Sequence, residues 1–227
     1  KELIERLALC NPTVTILGGD IVAGSGVYGY YKGKRYFPGI EDKWFENVWC
    51  YVKDKLSNNL WIKGNHDVDP GCYFYHNWFD RLWCVNIGKF KFIGFDTYNE
   101  DSVIPGQATP YLSLHDMIWL RKRLCEDERS KVILVHHPFN EWHDYSPEVF
   151  GGISDIRCVL SGHSHEVKKS ETLISWGKYK VPDYTNGTGA SDAQSHMATV
   201  SIFWKDGTEN TILMDSGLKI SGKSDIK

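Results

Sequence analysis

Hydrophobic positions recur along this chain in two rhythms, and each rhythm predicts an element. Leu3, Ile4, Leu7 and Ala8 share one face of a helix over residues 1–11, which Asn11-Pro12 stops. The β-branched run at 13–17 ends in Gly18-Gly19-Asp20, the pattern of a buried strand that delivers a loop. A second helix is predicted over 42–56, with Trp44, Phe45, Val48, Trp49 and Val52 on its apolar face. Leu60-Trp61-Ile62-Lys63 is a second short strand and runs into Gly64-Asn65-His66-Asp67. The aromatic-rich segment 73–83 reads as helical or irregular, and strands follow at 84–87 and 90–95. The alternation Lys89-Phe90-Lys91-Phe92 predicts a half-exposed strand.

The second half repeats the theme. Residues 113–126 form a predicted helix with Ser113 as N-cap and Leu114, Ile118, Leu120 and Leu124 as its apolar face. The apolar run 131–135 is a third buried strand, ending in His136-His137-Pro138. Residues 155–160 are a fourth, ending in Ser161-Gly162-His163-Ser164-His165. From 173 to 220 the alternating pattern and the turn Lys205-Asp206-Gly207 predict antiparallel strands. There are no repeats and no linker, so the 227 residues read as one layered α/β domain with strands inside and helices outside.

Composition narrows the function classes. Hydrophobic residues make up 41% and aromatic residues 14%, which supplies a core and excludes general disorder. The formal net charge of -3 gives no support for a nucleic-acid partner. No stretch approaches the ~20 apolar residues of a membrane span, and a cytoplasmic location is the expectation. The six cysteines are scattered without a C-x-x-C pair, which predicts buried free thiols rather than a disulfide framework. A single sequon, Asn186-Gly187-Thr188, carries no argument alone.

Four predicted strands end in residues of ligand type: Asp20, then Asn65-His66-Asp67, then His136-His137, then His163-Ser164-His165. Open α/β sheets bind ligands at the carboxyl ends of their strands. Each fragment alone would be ordinary turn or core chemistry, but four of them, each at the end of a strand, are what a metal site needs. Imidazole nitrogen with carboxylate oxygen suits Zn, Mn, Fe and similar ions, and no Cys stands among them.

Gly-Asp at 19–20, Gly-Asn-His-Asp at 64–67, His136 in Val-His-His-Pro and Gly-His-Ser-His at 162–165 together resemble the calcineurin-like metallophosphoesterase superfamily. The likeness runs from about Ile16 to His165. It implies a layered β-sandwich flanked by helices and a dinuclear centre of two divalent ions, Mn, Zn or Fe. By position, Asp20 would bridge the metals. Asn65, His136 and His163 would complete one metal site, and His165 would serve the other. His66 would be the general acid with Asp67 holding its imidazole in one tautomer, and a metal-bound hydroxide would attack phosphorus. His137 would lie behind the ligands. Phe92-Ile93-Gly94-Phe95-Asp96-Thr97 is similar to the branch of purple acid phosphatases and cyclic-nucleotide phosphodiesterases. Ala23 stands where the former have a Tyr ligand, so a tyrosinate-iron site is not expected.

The pattern departs from the family at one end. The family opens with Asp-x-His, whereas residues 1–19 hold neither Asp nor His. Truncation, loss of one metal site, and circular permutation each account for this. Under permutation the tail Ser224-Asp225-Ile226-Lys227 would supply Asp225 as the ligand, and Lys227, lacking a lone pair, could hold a phosphate.

Substrate choice is expected in the loops 23–39, 69–83, 98–112 and 140–152, which carry Tyr28, Tyr30, Tyr31, Tyr73, Tyr75, Trp142 and Tyr145. Aromatic faces there can stack on a base or simply pack the loops. The expected activity is hydrolysis of a small phosphomonoester or phosphodiester, a nucleotide being favoured. The alternatives are a non-catalytic scaffold and a nuclease. If His66 is the acid, His66→Asn should lower the hydrolytic rate by roughly 10²–10⁴. An unchanged rate would remove His66 from that role.

Overall fold

The computed structural model describes residues 2–9, 11–20, 30–31, 34–35, 40–56, 58–64, 67, 80–97, 110–139, 149–153, 155–164, 168–174, 179–185, 197–203 and 209–215. The elements in chain order are α1 (Glu2–Leu9), β1 (Thr15–Leu17), β2 (Tyr30–Tyr31), β3 (Lys34–Arg35), α2 (Ile40–Lys55) and β4 (Asn59–Trp61). They continue with β5 (Leu82–Ile87), β6 (Phe90–Phe95), α3 (Leu114–Cys125), β7 (Ser130–Leu134) and β8 (Ile156–Ser161). The last four are β9 (Lys168–Ile174), β10 (Tyr179–Thr185), β11 (Met197–Phe203) and β12 (Glu209–Asp215).

β1 and β4 pair in parallel, and a six-stranded sheet runs β5-β6-β7-β8-β10-β9. Within it β6, β7, β8 and β10 are parallel neighbours, while β5 and β9 are antiparallel edges. β11–β12 and β2–β3 are separate antiparallel pairs.

The strand period of two sorts the side chains into layers. Phe90, Phe92, Val132, Leu134 and Cys158 turn one face of the large sheet toward Ile62 and Ile16, beside the β1–β4 pair. Ile93, Phe95, Ile133 and Val159 turn the other face toward Leu120 and Leu124 of α3. Behind the β1–β4 pair, Trp61 and Leu17 meet Val52, Leu56, Ile4 and Leu7 of α2 and α1. The stack is helix, sheet, sheet, helix. Register slips once between β7 and β8: Lys131 faces Ile156 but Val132 faces Cys158. Exposed Arg157 is the extra residue, a bulge that lets Ile156 and Val159 serve one face while Cys158 serves the other. Gly94 lies opposite Trp83 in the β5–β6 ladder. A Cβ on Gly94 would sit 2.2 Å from the indole ring, so only glycine leaves room for it.

Several expectations need correction. β6 is buried along its whole length rather than half-exposed. Lys91, at 1% exposure, is tolerated because its ammonium reaches Asp127 Oδ2 at 2.9 Å, Glu126 Oε2 at 3.1 Å and the Arg123 carbonyl at 3.2 Å. Its register partner Lys131 is equally buried and binds the Asp127 carbonyl at 2.6 Å and the Asp155 carboxylate. On α3, Leu114 and Ile118 face solvent. The buried stripe is Asp116, Leu120 and Leu124, because Asp116 completes the capping box with Ser113 and pairs with Arg81. Val48 of α2 is exposed, while Val52 and Leu56 are buried. Trp83 belongs to β5, not to a helical or irregular segment. The tail strands begin at Lys168 rather than 173, and β10 joins β8 in parallel. The turn at 205–207 lies outside the described residues. Two of the proposed substrate loops include core residues, since Leu112, Val149 and Phe150 are at most 1% exposed. No helix among the described residues is long and apolar enough to cross a membrane.

The lysine–acid cluster yields a stability prediction. Burial works against the Asp127 charge, but the Lys91 hydrogen bond and the Arg129 amide outweigh it and draw its pKa from 3.8 down to about 2. A depressed folded-state pKa gives stability that is complete above the unfolded value and lost as pH falls through the folded one. Asp127→Asn should therefore cost about 1.5–3 kcal/mol near neutrality. In chemical denaturation, the wild type should lose its advantage between pH 3.8 and about 2. A gap unchanged across that window would contradict the assignment.

Candidate metal centre

The site is built where β1, β4, β7 and β8 stop. Backbone hydrogen bonds carry the pairing past the strand ends: Ile62 N–H donates to the Leu17 carbonyl at 2.9 Å and Gly162 N–H to the His136 carbonyl at 2.9 Å. The strand exits thus stay side by side, and Asp20, His136 and His163 emerge on one rim. One ligand atom from each lies within 4.8 Å of the others.

His136 is the hub. Its Nδ1 sits 2.7 Å from the Gly18 carbonyl, to which it donates, and its Nε2 sits 3.1 Å from Asp20 Oδ2. A carbonyl on one ring nitrogen aims the other at the carboxylate, the arrangement that ligating imidazoles adopt. Burial, the largest single influence, opposes charging His136; the Asp20 contact, the Gly18 carbonyl and the Asp67 charge outweigh it and raise its pKa. The His163 ring packs edge-on to His136, 5.3 Å between centroids.

This closeness needs glycines. Gly19 has φ 94°, and a Cβ there would fall 2.6 Å from both Gly64 N and His136 Nδ1. A Cβ on Gly64 would fall 2.1 Å from Asp20 Oδ1. Asp20 and His163 also have positive φ, 53° and 66°, a conformation that non-glycine residues hold only when surroundings enforce it.

His137 lies behind the rim, 1% exposed, with Nδ1 2.6 Å from Thr97 Oγ1 and its ring 4.6 Å from that of His163. Burial, then the nearby His136 and His163, lower its pKa to about 3, so it stays neutral. Asp67 is fully buried. Its Oδ2 accepts the amides of Asp20 at 2.7 Å and Gly64 at 2.9 Å, an employment the motif reading did not foresee. Asn65, His66, His165 and Asp225 lie outside the described residues.

Asp96 and Thr97 have no assigned role in the motif pattern. Asp96 Oδ1 accepts the Lys63 amide at 3.1 Å, which fixes the chain as it leaves β4. Both follow the apolar β6 run directly, the same signal that marked the other strand exits.

Residues 1–167 match the model of the calcineurin-like phosphoesterases, and the chain belongs to that family. Among solved structures it is similar to a 5'-nucleotidase precursor from Thermus thermophilus, at 13% identity over 93% of this chain and 48% of that one, with a TM-score of 0.57. That likeness shows the fold, and this chain spans about half the length of that protein. It also aligns with a single mutant of Vps29 from Entamoeba histolytica, at 13% identity over 94% of this chain and 87% of that one, with a TM-score of 0.42. No protein of curated function matches the sequence.

Burial pushes Asp96 from 3.8 up to about 7, against the lowering effect of Lys63 and Arg81. A raised folded-state pKa means that the proton's contribution to stability is full below the unfolded value and lost as pH rises through the folded one. In metal-free protein, wild-type stability should therefore fall between pH 3.8 and about 7 relative to Asp96→Asn. Urea denaturation at a series of pH values checks this, and parallel curves would contradict it.

Proposed function

We infer that this chain is a metal-dependent phosphoesterase acting on a small phosphomonoester or phosphodiester, with a nucleotide as the favoured substrate. The observation that carries the reading is the convergence of Asp20, His136 and His163, from three separate strand exits, with ligand atoms within 4.8 Å. The donor set of one carboxylate and two imidazoles fits Zn, Mn or Fe. Asn65, from Gly-Asn-His-Asp, and His165, from Gly-His-Ser-His, join the proposed ligand set for two divalent ions. A divalent metal held there supplies Lewis acidity and charge neutralisation at a phosphoryl group.

The remaining work falls to the protein. His136 holds Nε2 toward Asp20 through its Nδ1 bond to Gly18. His137 packs behind His163 as an uncharged ring and adds no positive charge to compete with cations. His66 is the proposed general acid, giving its proton to the departing alcohol oxygen, with Asp67 next to it in sequence.

The first test is elemental analysis after loading with Mn²⁺ or Zn²⁺, followed by hydrolysis of aryl phosphate mono- and diesters. Two ions per chain and turnover are expected, with both lost in Asp20→Ala. One ion or none, together with no hydrolysis, would sink the reading and leave a non-catalytic scaffold on the same fold.

A further inference from the structure

Asp67 is 0% exposed, and it spends one oxygen on two backbone amides. Oδ2 accepts from Asp20 N at 2.7 Å and from Gly64 N at 2.9 Å, while the Asp67 amide donates to the Gly64 carbonyl at 3.2 Å. These bonds join the end of β4 to the loop after β1, across 47 residues of sequence. Asp20 stands in particular need of such a tie. Its φ of 53° lies in the left-handed region, where a non-glycine residue is strained by about 1–3 kcal/mol and persists only under external constraint.

We propose that Asp67 is a positioning residue for Asp20: its carboxylate seizes the Asp20 amide, imposes the left-handed turn, and thereby aims the Asp20 carboxylate at His136 and His163. The proposal rests on the metal-centre reading above. It differs from the imidazole-holding role that the resemblance implies, because it acts on a metal ligand through the backbone and needs no proton transfer. Removal of Asp67 should then disturb metal binding itself and not only turnover.

The experiment uses the full chain with Asp67→Ala and Asp67→Asn, each checked for a cooperative thermal transition. Metal-free protein is titrated with Co²⁺ alone, read by visible absorption, and amide exchange at Asp20 and Gly64 is followed without metal. Asn can set an oxygen where Oδ2 lies, so it should keep Co²⁺ affinity within about threefold. Ala should lose about 10–100-fold, as other partners behind metal ligands do, with an altered spectrum and faster exchange at Asp20. An Ala variant with unchanged affinity and protection would overturn the proposal. Should that variant not fold, Asn decides: a loss of about 10-fold or more there would mean that charge, not amide capture, matters. If the wild type takes up no Co²⁺, the metal-centre reading fails instead. Exchange at Asp20 in the Ala variant then decides the tie alone, lost protection upholding it and kept protection overturning it.

Discussion

The hydrogen bond from His136 Nδ1 to the Gly18 carbonyl, 2.7 Å long, is the contact on which the site depends. It spans the two sheets: His136 follows β7 of the large sheet, and Gly18 follows β1 of the small one. The apolar layer between them sets their spacing, but apolar packing is non-directional and cannot set where the strand exits lie relative to one another. A hydrogen bond with one favoured geometry can. The room for it comes from Gly19 and Gly64, where any Cβ would meet His136, Asp20 or the facing backbone. Glycine at the strand ends is thus a packing requirement of the candidate metal centre, not only a turn signal.

Charge is distributed along the strands with the same economy. The buried ammonium groups of Lys91 and Lys131 stand near the starts of β6 and β7, neutralised by Asp127, Glu126 and Asp155. The buried carboxylates Asp67 and Asp96 and the rim histidines stand beyond the strand ends. Lys91, Lys131 and Asp116 have charged partners, Asp67 accepts two backbone amides, and Asp96 has a pKa moved toward the neutral form, as the cost of isolated buried charge requires.

Element existence was legible where the apolar rhythm was long or capped. α3 begins at the capping box that Ser113 announces, and the β-branched runs at 15–17 and 130–134 are strands. Faces were less legible. Leu114 and Ile118 fit an apolar stripe by spacing yet face water, because the Arg81 pair draws Asp116 inward and turns the helix about its axis. Lys91 reads as exposed by type yet is covered, because its partners arrive from residues 32 to 36 positions later in the chain. Spacing records local geometry and is blind to such distant partners.

The sequence by itself determined that four apolar strands end in Asp, Asn and His, and that their motifs together belong with the calcineurin-like phosphoesterases. Composition and order along the chain suffice for that, since ligand type and strand pattern are local properties. Only the tertiary structure decided that Asp20, His136 and His163 meet within 4.8 Å. It alone decided that Asp67 works on the Asp20 and Gly64 amides, and that Thr97 stands against His137. The Asp20–Asp67, Thr97–His137 and Asp20–His136 contacts join segments 40 to more than 110 residues apart. The first two need strands far apart in sequence to become neighbours in one sheet, and the third exists only once the two sheets have packed face to face.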